Sequence, residues 1–231
     1  MSDTILHYTR QGSGPPLLLL HGNGEDGSYF VHQMKAFSFL YTVYAIDTRG
    51  HGQSPRGDAP FTLEQFAQDL LDFMNARRIR RANILGFSDG GSIALIFALA
   101  HPERVDRLIL NGANLFPSGV KPQVQLPIIL GYWAASFFGL FSVRARRKAE
   151  LLGLMVKQPH IRPEALQKLY IPTLVIVGTR DMIRDGHTLL IASSLPRGRM
   201  EMIVGDHFIA KKNPDEFNEA VAAFLADTRS D

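Results

Sequence analysis

The residues best suited to chemistry lie in Gly86-Phe87-Ser88-Asp89-Gly90-Gly91, where a serine stands between glycines two positions to either side. An apolar run, Ala82 to Leu85, leads into this turn and an alanine-rich run, Ser92 to Ala100, leaves it, so the spacing predicts a tight strand-to-helix turn that lifts a hydroxyl into the open. Ser88 is the candidate nucleophile. A serine hydroxyl is a weak nucleophile at neutral pH, so this chemistry requires a base, a group that orients the base, and donors for a developing oxyanion.

Candidates for each stand at the ends of other predicted strands. Leu17 to Leu20 is a continuous apolar run, as expected of a strand buried on both faces, and it ends in His21-Gly22-Asn23-Gly24, whose glycines leave backbone N–H groups free to face a ligand. Thr173 to Val177 is a β-branched strand that ends in Gly178-Thr179-Arg180-Asp181. Asp181 by itself also reads as a turn former. Met200 to Val204 is the last strand, followed by Gly205-Asp206-His207-Phe208. Ser88, Asp181 and His207 therefore follow one another in chain order, each just beyond a different strand.

The remaining elements complete an alternating strand and helix pattern. Thr4 to Arg10 reads as an edge strand, Ser28 to Phe39 as a helix and Tyr41 to Ile46 as a strand. In the loop Asp47 to Ser54, Asp47 and Arg49 are assigned to local hydrogen bonding that holds the loop in place. Thr62 is an N-cap, with Gln65 completing a capping box, for an amphipathic helix running to Arg77. Val105 to Leu110 is a strand, Pro163 to Leu169 a short helix, Asp185 to Ser194 a helix, and Pro214 to Ala226 the final helix. Between about residues 116 and 158 the alternation breaks. This stretch carries Leu130, Trp133, Phe137 and Phe141 and then Arg144, Arg146, Arg147 and Lys148, and it reads as a helical cap with its apolar side over a pocket and its basic side outward. Trp133 and Phe137 are accordingly expected to touch substrate.

At 231 residues, 45% of them hydrophobic and 20% charged, the chain is expected to form a single domain with a substantial core. The absence of cysteine excludes thiolate chemistry and disulfides. The net charge of +3 comes without a long basic stripe interleaved with aromatics, so no nucleic-acid partner is expected. Arg77, Arg78, Arg80 and Arg81 fit a solvated helix end. Met1-Ser2-Asp3-Thr4 lacks the start of a signal peptide, which makes a cytoplasmic location the expectation. The basic cap has something of an interfacial helix but not the length or charge density of an anchor, so no stable membrane anchoring is expected.

Together the glycine loop at His21, the Asp47–Ser54 loop, the Ser88 elbow, the strand ending at Asp181 and the loop around His207 resemble the α/β-hydrolase fold across nearly the whole chain. The resemblance implies a mostly parallel sheet of about seven strands, helices on both faces and a short helical cap. It implies Ser88 as nucleophile, His207 as base and Asp181 as its orienting partner, with the backbone N–H groups of Asn23 and Asp89 as the oxyanion hole. The expected activity is hydrolysis of a small or medium hydrophobic carboxylic ester through an acyl-enzyme, without metal or organic cofactor. Thioester, lactone or carbon–carbon bond hydrolysis, and ligand reception without turnover, are the alternatives on the same scaffold. The Ser-Asp-Gly-Gly elbow is similar to that of valacyclovirase-like hydrolases, in which the aspartate receives a substrate ammonium. The simpler account of Asp89 is that it complements the helix dipole.

Overall fold

A computed structural model describes residues 3–227 of the chain, so Met1 and Ser2 of the amino-terminal stretch lie outside the described residues. Seven strands form one sheet in the order β1-β3-β2-β4-β5-β6-β7. They are β1 (Tyr8–Gln11), β2 (Pro16–Leu20), β3 (Thr42–Ile46), β4 (Ala82–Phe87), β5 (Val105–Asn111), β6 (Thr173–Gly178) and β7 (Gly198–Ile203). Only β1, at one edge, runs antiparallel, against β3. Every other pairing is parallel, with Leu20 beside Gly86 and Phe87 beside Asn111 at the carboxyl ends. The helices are α1 (Val31–Phe37), α2 (Leu63–Ala76), α3 (Asp89–Ala100), α4 (Pro122–Phe138), α5 (Val143–Lys157), α6 (Pro163–Leu166), α7 (Asp185–Ser194), α8 (Ile209–Lys212) and α9 (Pro214–Ala226).

The apolar strands are buried on both faces because helices cover both. Successive leucines of β2 feed opposite cores: Leu18 and Leu20 pack with α2, α3 and α7, whereas Leu17 and Leu19 pack with α1 and α9. The same alternation holds in β5, where Leu108 and Leu110 face one layer and Ile109 the other. Each fully buried leucine contributes about 2 kcal/mol of transfer free energy, which makes these central strands the stable frame for the loops at their ends.

Several boundaries differ from the sequence reading. The edge strand is shifted to Tyr8–Gln11. The element predicted over Ser28 to Phe39 begins as a 3₁₀ turn, Gly27–Phe30, because the Asp26 side chain accepts the Ser28 N–H and tightens the entry. The Thr62 hydroxyl caps α2 by accepting Gln65 N–H, but the Gln65 amide turns to Asp69 Oδ1 at 3.0 Å, so the reciprocal half of the capping box is not made.

The cap is the main correction. Its two helices form an antiparallel hairpin after β5, and α5 is the one that grips the body of the protein. Glu150 takes a bidentate pair from Arg56 at 2.7 and 3.2 Å, and Gln158 Oε1 accepts Leu63 N–H at 2.7 Å. Helix α4 rides on α5, turning Gln125 and Ala135 inward, with Gln125 Nε2 donating to the Met155 carbonyl. Ile128, Ile129 and Tyr132 are half-buried, but Trp133 and Phe137, expected to touch substrate, are 65% and 61% exposed.

The loop after β3 is held by buried charge. Asp47 accepts N–H bonds from Gly27 and Gln53, and Arg49, its side chain wholly buried, forks onto Asp69 of α2 with two bonds of 2.7 Å. Asp47 and Arg49 thus stitch the loop through separate partners. Arg49 also pairs with Asp3 at 2.7 Å and donates to the Arg56 carbonyl at 3.1 Å, so Asp69→Ala removes its bidentate fork but not every partner, and the expected loss in urea-unfolding free energy is about 3 kcal/mol. Glu64→Ala, an exposed change on the same helix, is expected to cost less than about 1 kcal/mol.

Candidate active site

Strand β4 enters the elbow fully buried and turns at Ser88, which has φ 54° and ψ −120°. This left-handed conformation is costly for a residue with a side chain, and the surroundings enforce it. Ser88 N–H donates to the Asn111 carbonyl at 2.8 Å, while its own carbonyl accepts from Gly91 and Ser92 N–H at 2.9 and 3.1 Å, starting α3 at once. The helix can begin there only because residue 90 has no side chain: a Cβ on Gly90 would meet the Leu20 carbonyl oxygen at 2.0 Å. The glycines at the elbow serve the close approach of helix and strand.

The other two candidates are joined directly. His207 Nδ1 donates to Asp181 Oδ1 at 2.7 Å, and the same oxygen accepts Ile183 N–H at 2.8 Å. Both side chains are almost completely buried. With Nδ1 carrying the proton toward the carboxylate, Nε2 is left as the basic nitrogen. Nε2 is buried and has no hydrogen-bond partner among the described residues, so it is not yet bonded to Ser88 Oγ. Such bonds commonly tighten only when substrate is bound. Phe87 lies beside the imidazole, ring centroids 4.8 Å apart, and Phe208 completes an aromatic wall at 5.6 Å from it.

Gly112, with φ 63°, is a site residue to which the sequence reading gave no role. A Cβ there would approach His207 Cε1 to 2.6 Å, so the imidazole occupies the space a side chain would fill. Its only sequence signal is a glycine immediately after a strand.

Asn23 and Asp89 also come together. Asn23 Nδ2 donates to Asp89 Oδ2 at 2.9 Å and to the Leu151 carbonyl of α5 at 2.8 Å, so one amide ties the glycine loop to the elbow and to the cap. Neither backbone N–H, of Asn23 or of Asp89, donates to another group among the described residues. Burial raises the carboxyl pKa of Asp89, against a smaller opposing effect from Asn23. The Asp89 side chain is thus a buried carboxylate hydrogen-bonded to an amide, not merely a charge at the end of a helix. Glu25 steadies the same loop by accepting Gly22 N–H at 3.2 Å, and burial raises its pKa too. Among the described residues no group of three or more His, Asp or Glu has the arrangement to hold a metal ion.

The sheet order, the strained serine at the end of β4 and the acid–histidine pair beyond β6 and β7 define a hydrolase of the α/β-hydrolase fold, and the sequence agrees. The model of the family described as alpha/beta hydrolase fold matches residues 15–156, and the chain belongs to that family. Among its relatives, "Putative carbamate hydrolase RutD" of Azorhizobium caulinodans is 27% identical, over 97% of this chain and 96% of that protein. "Serine hydrolase BPHL" of Homo sapiens is 27% identical, over 95% of this chain and 82% of that protein. The crystal structure of the enol-lactonase from Burkholderia xenovorans LB400 shares the fold, with a TM-score of 0.82 at 24% identity over 97% of each chain.

His21, at the base of the glycine loop, gives the site a pH-dependent support. Its Nε2 accepts Thr48 N–H at 3.0 Å and its Nδ1 donates to the Gly22 carbonyl at 2.8 Å, an arrangement only the neutral ring can make. Burial, and secondarily the neighbouring His51, hold its pKa down from 6.5 to about 4. Because the folded value lies below the unfolded one, its contribution to stability is complete above pH 6.5 and is lost as pH falls toward 4. The expected loss across that window is roughly 3 kcal/mol, read as the difference in pH slope of urea unfolding between wild type and His21→Gln.

Proposed function

We propose that this protein is a serine hydrolase that cleaves a small or medium hydrophobic carboxylic ester through an acyl-enzyme. The observation that carries this reading is the buried Asp181–His207 pair, whose Nε2 is left without a partner among the described residues and whose ring packs against Phe87, the residue before the strained Ser88. His207 Nε2 takes the proton as Ser88 Oγ attacks the carbonyl carbon, and Asp181 holds the ring in the required tautomer and stabilises the imidazolium. The N–H groups of Asn23 and Asp89 receive the oxyanion, the latter from the positive end of α3. Collapse of the tetrahedral intermediate expels the alcohol, protonated by His207. Water, deprotonated by the same nitrogen, then releases the acid and restores Ser88. The apolar character of the acyl group rests on Phe87 and Phe208 beside the imidazole, since the cap aromatics Trp133 and Phe137 are exposed. The mechanism needs no cofactor.

Steady-state hydrolysis of p-nitrophenyl acetate through octanoate tests the reading. Turnover is expected for the shorter esters, with a loss of at least about 10⁴-fold in Ser88→Ala. If no ester turns over while a thioester, lactone or carbon–carbon substrate does, the scissile bond is misassigned though Ser88 chemistry stands. Turnover that survives Ser88→Ala overturns the mechanism itself.

A second specificity is favoured by one observation. Asp89 is a buried carboxylate whose partner is an amide rather than a cation, and such a group gains most from a substrate that brings a positive charge. An ester with an ammonium group near the carbonyl would offer that charge at the elbow. Asp89→Asn is expected to reduce the preference for an aminoacyl over a plain acyl ester by roughly tenfold, the scale of one charge-assisted hydrogen bond. An unchanged ratio of kcat/KM values assigns Asp89 to loop support alone.

A further inference from the structure

The cap hairpin is built inside out for a helix whose only task is to cover a site. Gln125 and the small Ala135 face inward, while Leu126, Leu130, Trp133 and Phe137 form a stripe at helical spacing along the outer face of α4. The stripe continues into Leu140 and Phe141 at the hairpin tip, and these six side chains are 59 to 81% exposed. An apolar surface this continuous is uncommon unless something covers it.

The charges around it indicate what. Arg144, Arg147 and Lys148 occupy the first two turns of α5, directly after the tip, and are exposed. No aspartate or glutamate occurs between Lys121 and Ala149, so nothing within the hairpin's own sequence neutralises them. Glu150, the first acid after this stretch, is committed to Arg56. Pairing this face with a second copy of the chain would set one basic cluster against another. A surface that is apolar beneath and anionic above satisfies both features. Helix α4, at 17 residues, is too short to span a bilayer, and no helix among the described residues is long and apolar enough to do so. A helix lying in the plane of the interface needs only an apolar face, bordering cations and an aromatic side chain at headgroup depth.

We propose that the outer face of the cap docks reversibly onto an anionic lipid surface, with Leu126, Leu130, Trp133, Phe137, Leu140 and Phe141 entering the headgroup boundary and Arg144, Arg147 and Lys148 meeting lipid phosphates. The inference is independent of the hydrolytic reading, because it concerns binding alone.

Trp133 is the only tryptophan in the chain and stands in the middle of the stripe, so the protein carries its own probe. The experiment titrates the full chain with vesicles of phosphatidylcholine, alone or with about one third phosphatidylglycerol, and reads tryptophan emission. The expected result is a blue shift on the anionic vesicles, quenched by brominated acyl chains and weakened by salt. In the Arg144→Gln/Arg147→Gln variant the partition coefficient is expected to fall by roughly tenfold or more. Leu140→Ser/Phe141→Ser should weaken it as well, with circular dichroism and thermal unfolding unchanged from wild type. Three outcomes overturn the proposal: no shift on anionic vesicles at low salt, equal partition onto neutral vesicles, or a shift that arises with protein concentration without lipid alongside a dimer in sedimentation. The last would assign the face to a second copy of this chain.

Discussion

The site depends on one close approach, that of the first turn of α3 to the end of β2. The absent side chain at Gly90 lets the helix backbone settle against the Leu20 carbonyl, and this contact leaves Ser88 in a left-handed conformation at the edge of the sheet. The strain is borne by the most deeply buried part of the molecule, since the strands on either side of β4 are largely buried and covered on both faces. A strained turn persists where its surroundings over-determine it, and two packed cores supply that determination.

Around this rigid centre the loops are held by polar groups taken out of water. Arg49 reaches from the loop after β3 to Asp69, neutral His21 accepts a backbone bond from the same loop, and Asp181 fixes His207. These loops are short of large apolar side chains and cannot be fixed by packing, so buried hydrogen bonds and ion pairs supply their order. The cost is sensitivity: each network is sound only while every member keeps its charge state, and removing one partner leaves another stranded.

Asn23 connects these levels. Its backbone N–H donates to no other group among the described residues, while its side-chain amide divides two hydrogens between Asp89 and the cap. The carboxylate next to Ser88 and helix α5 are thereby joined through a single planar group.

Most of the frame was legible in the sequence because it follows from short-range rules. Leu17 to Leu20 could only be a strand buried on both faces, the glycines around Ser88 announced a tight turn, and an aspartate and a histidine just beyond two later strands stood where an open parallel sheet gathers its functional groups. Helix boundaries were less legible. The Gln65 side chain, for example, had a competing acceptor in Asp69, one turn further along its own helix, which a capping pattern does not register.

What the sequence could not decide were directions and partners across the chain. Helix α4 is apolar around nearly its whole circumference, so periodicity offered no sign of which face turns inward. The choice was made by α5, whose bonds to Arg56, Asn23 and Leu63 fix the hairpin and leave the aromatic face of α4 outside. Likewise, Asp89 looks like a dipole-complementing acid until Asn23, 66 residues away, is brought against it, and Gly112 is an ordinary strand-end glycine until His207 fills its missing side chain. The sequence by itself determined the strands, the elbow and the candidates Ser88, Asp181 and His207 at the strand ends, because backbone sterics and burial act between near neighbours. The tertiary structure alone decided the outward cap face and the partners of Asp89, because those depend on contacts between segments whose separation along the chain carries no record of their meeting.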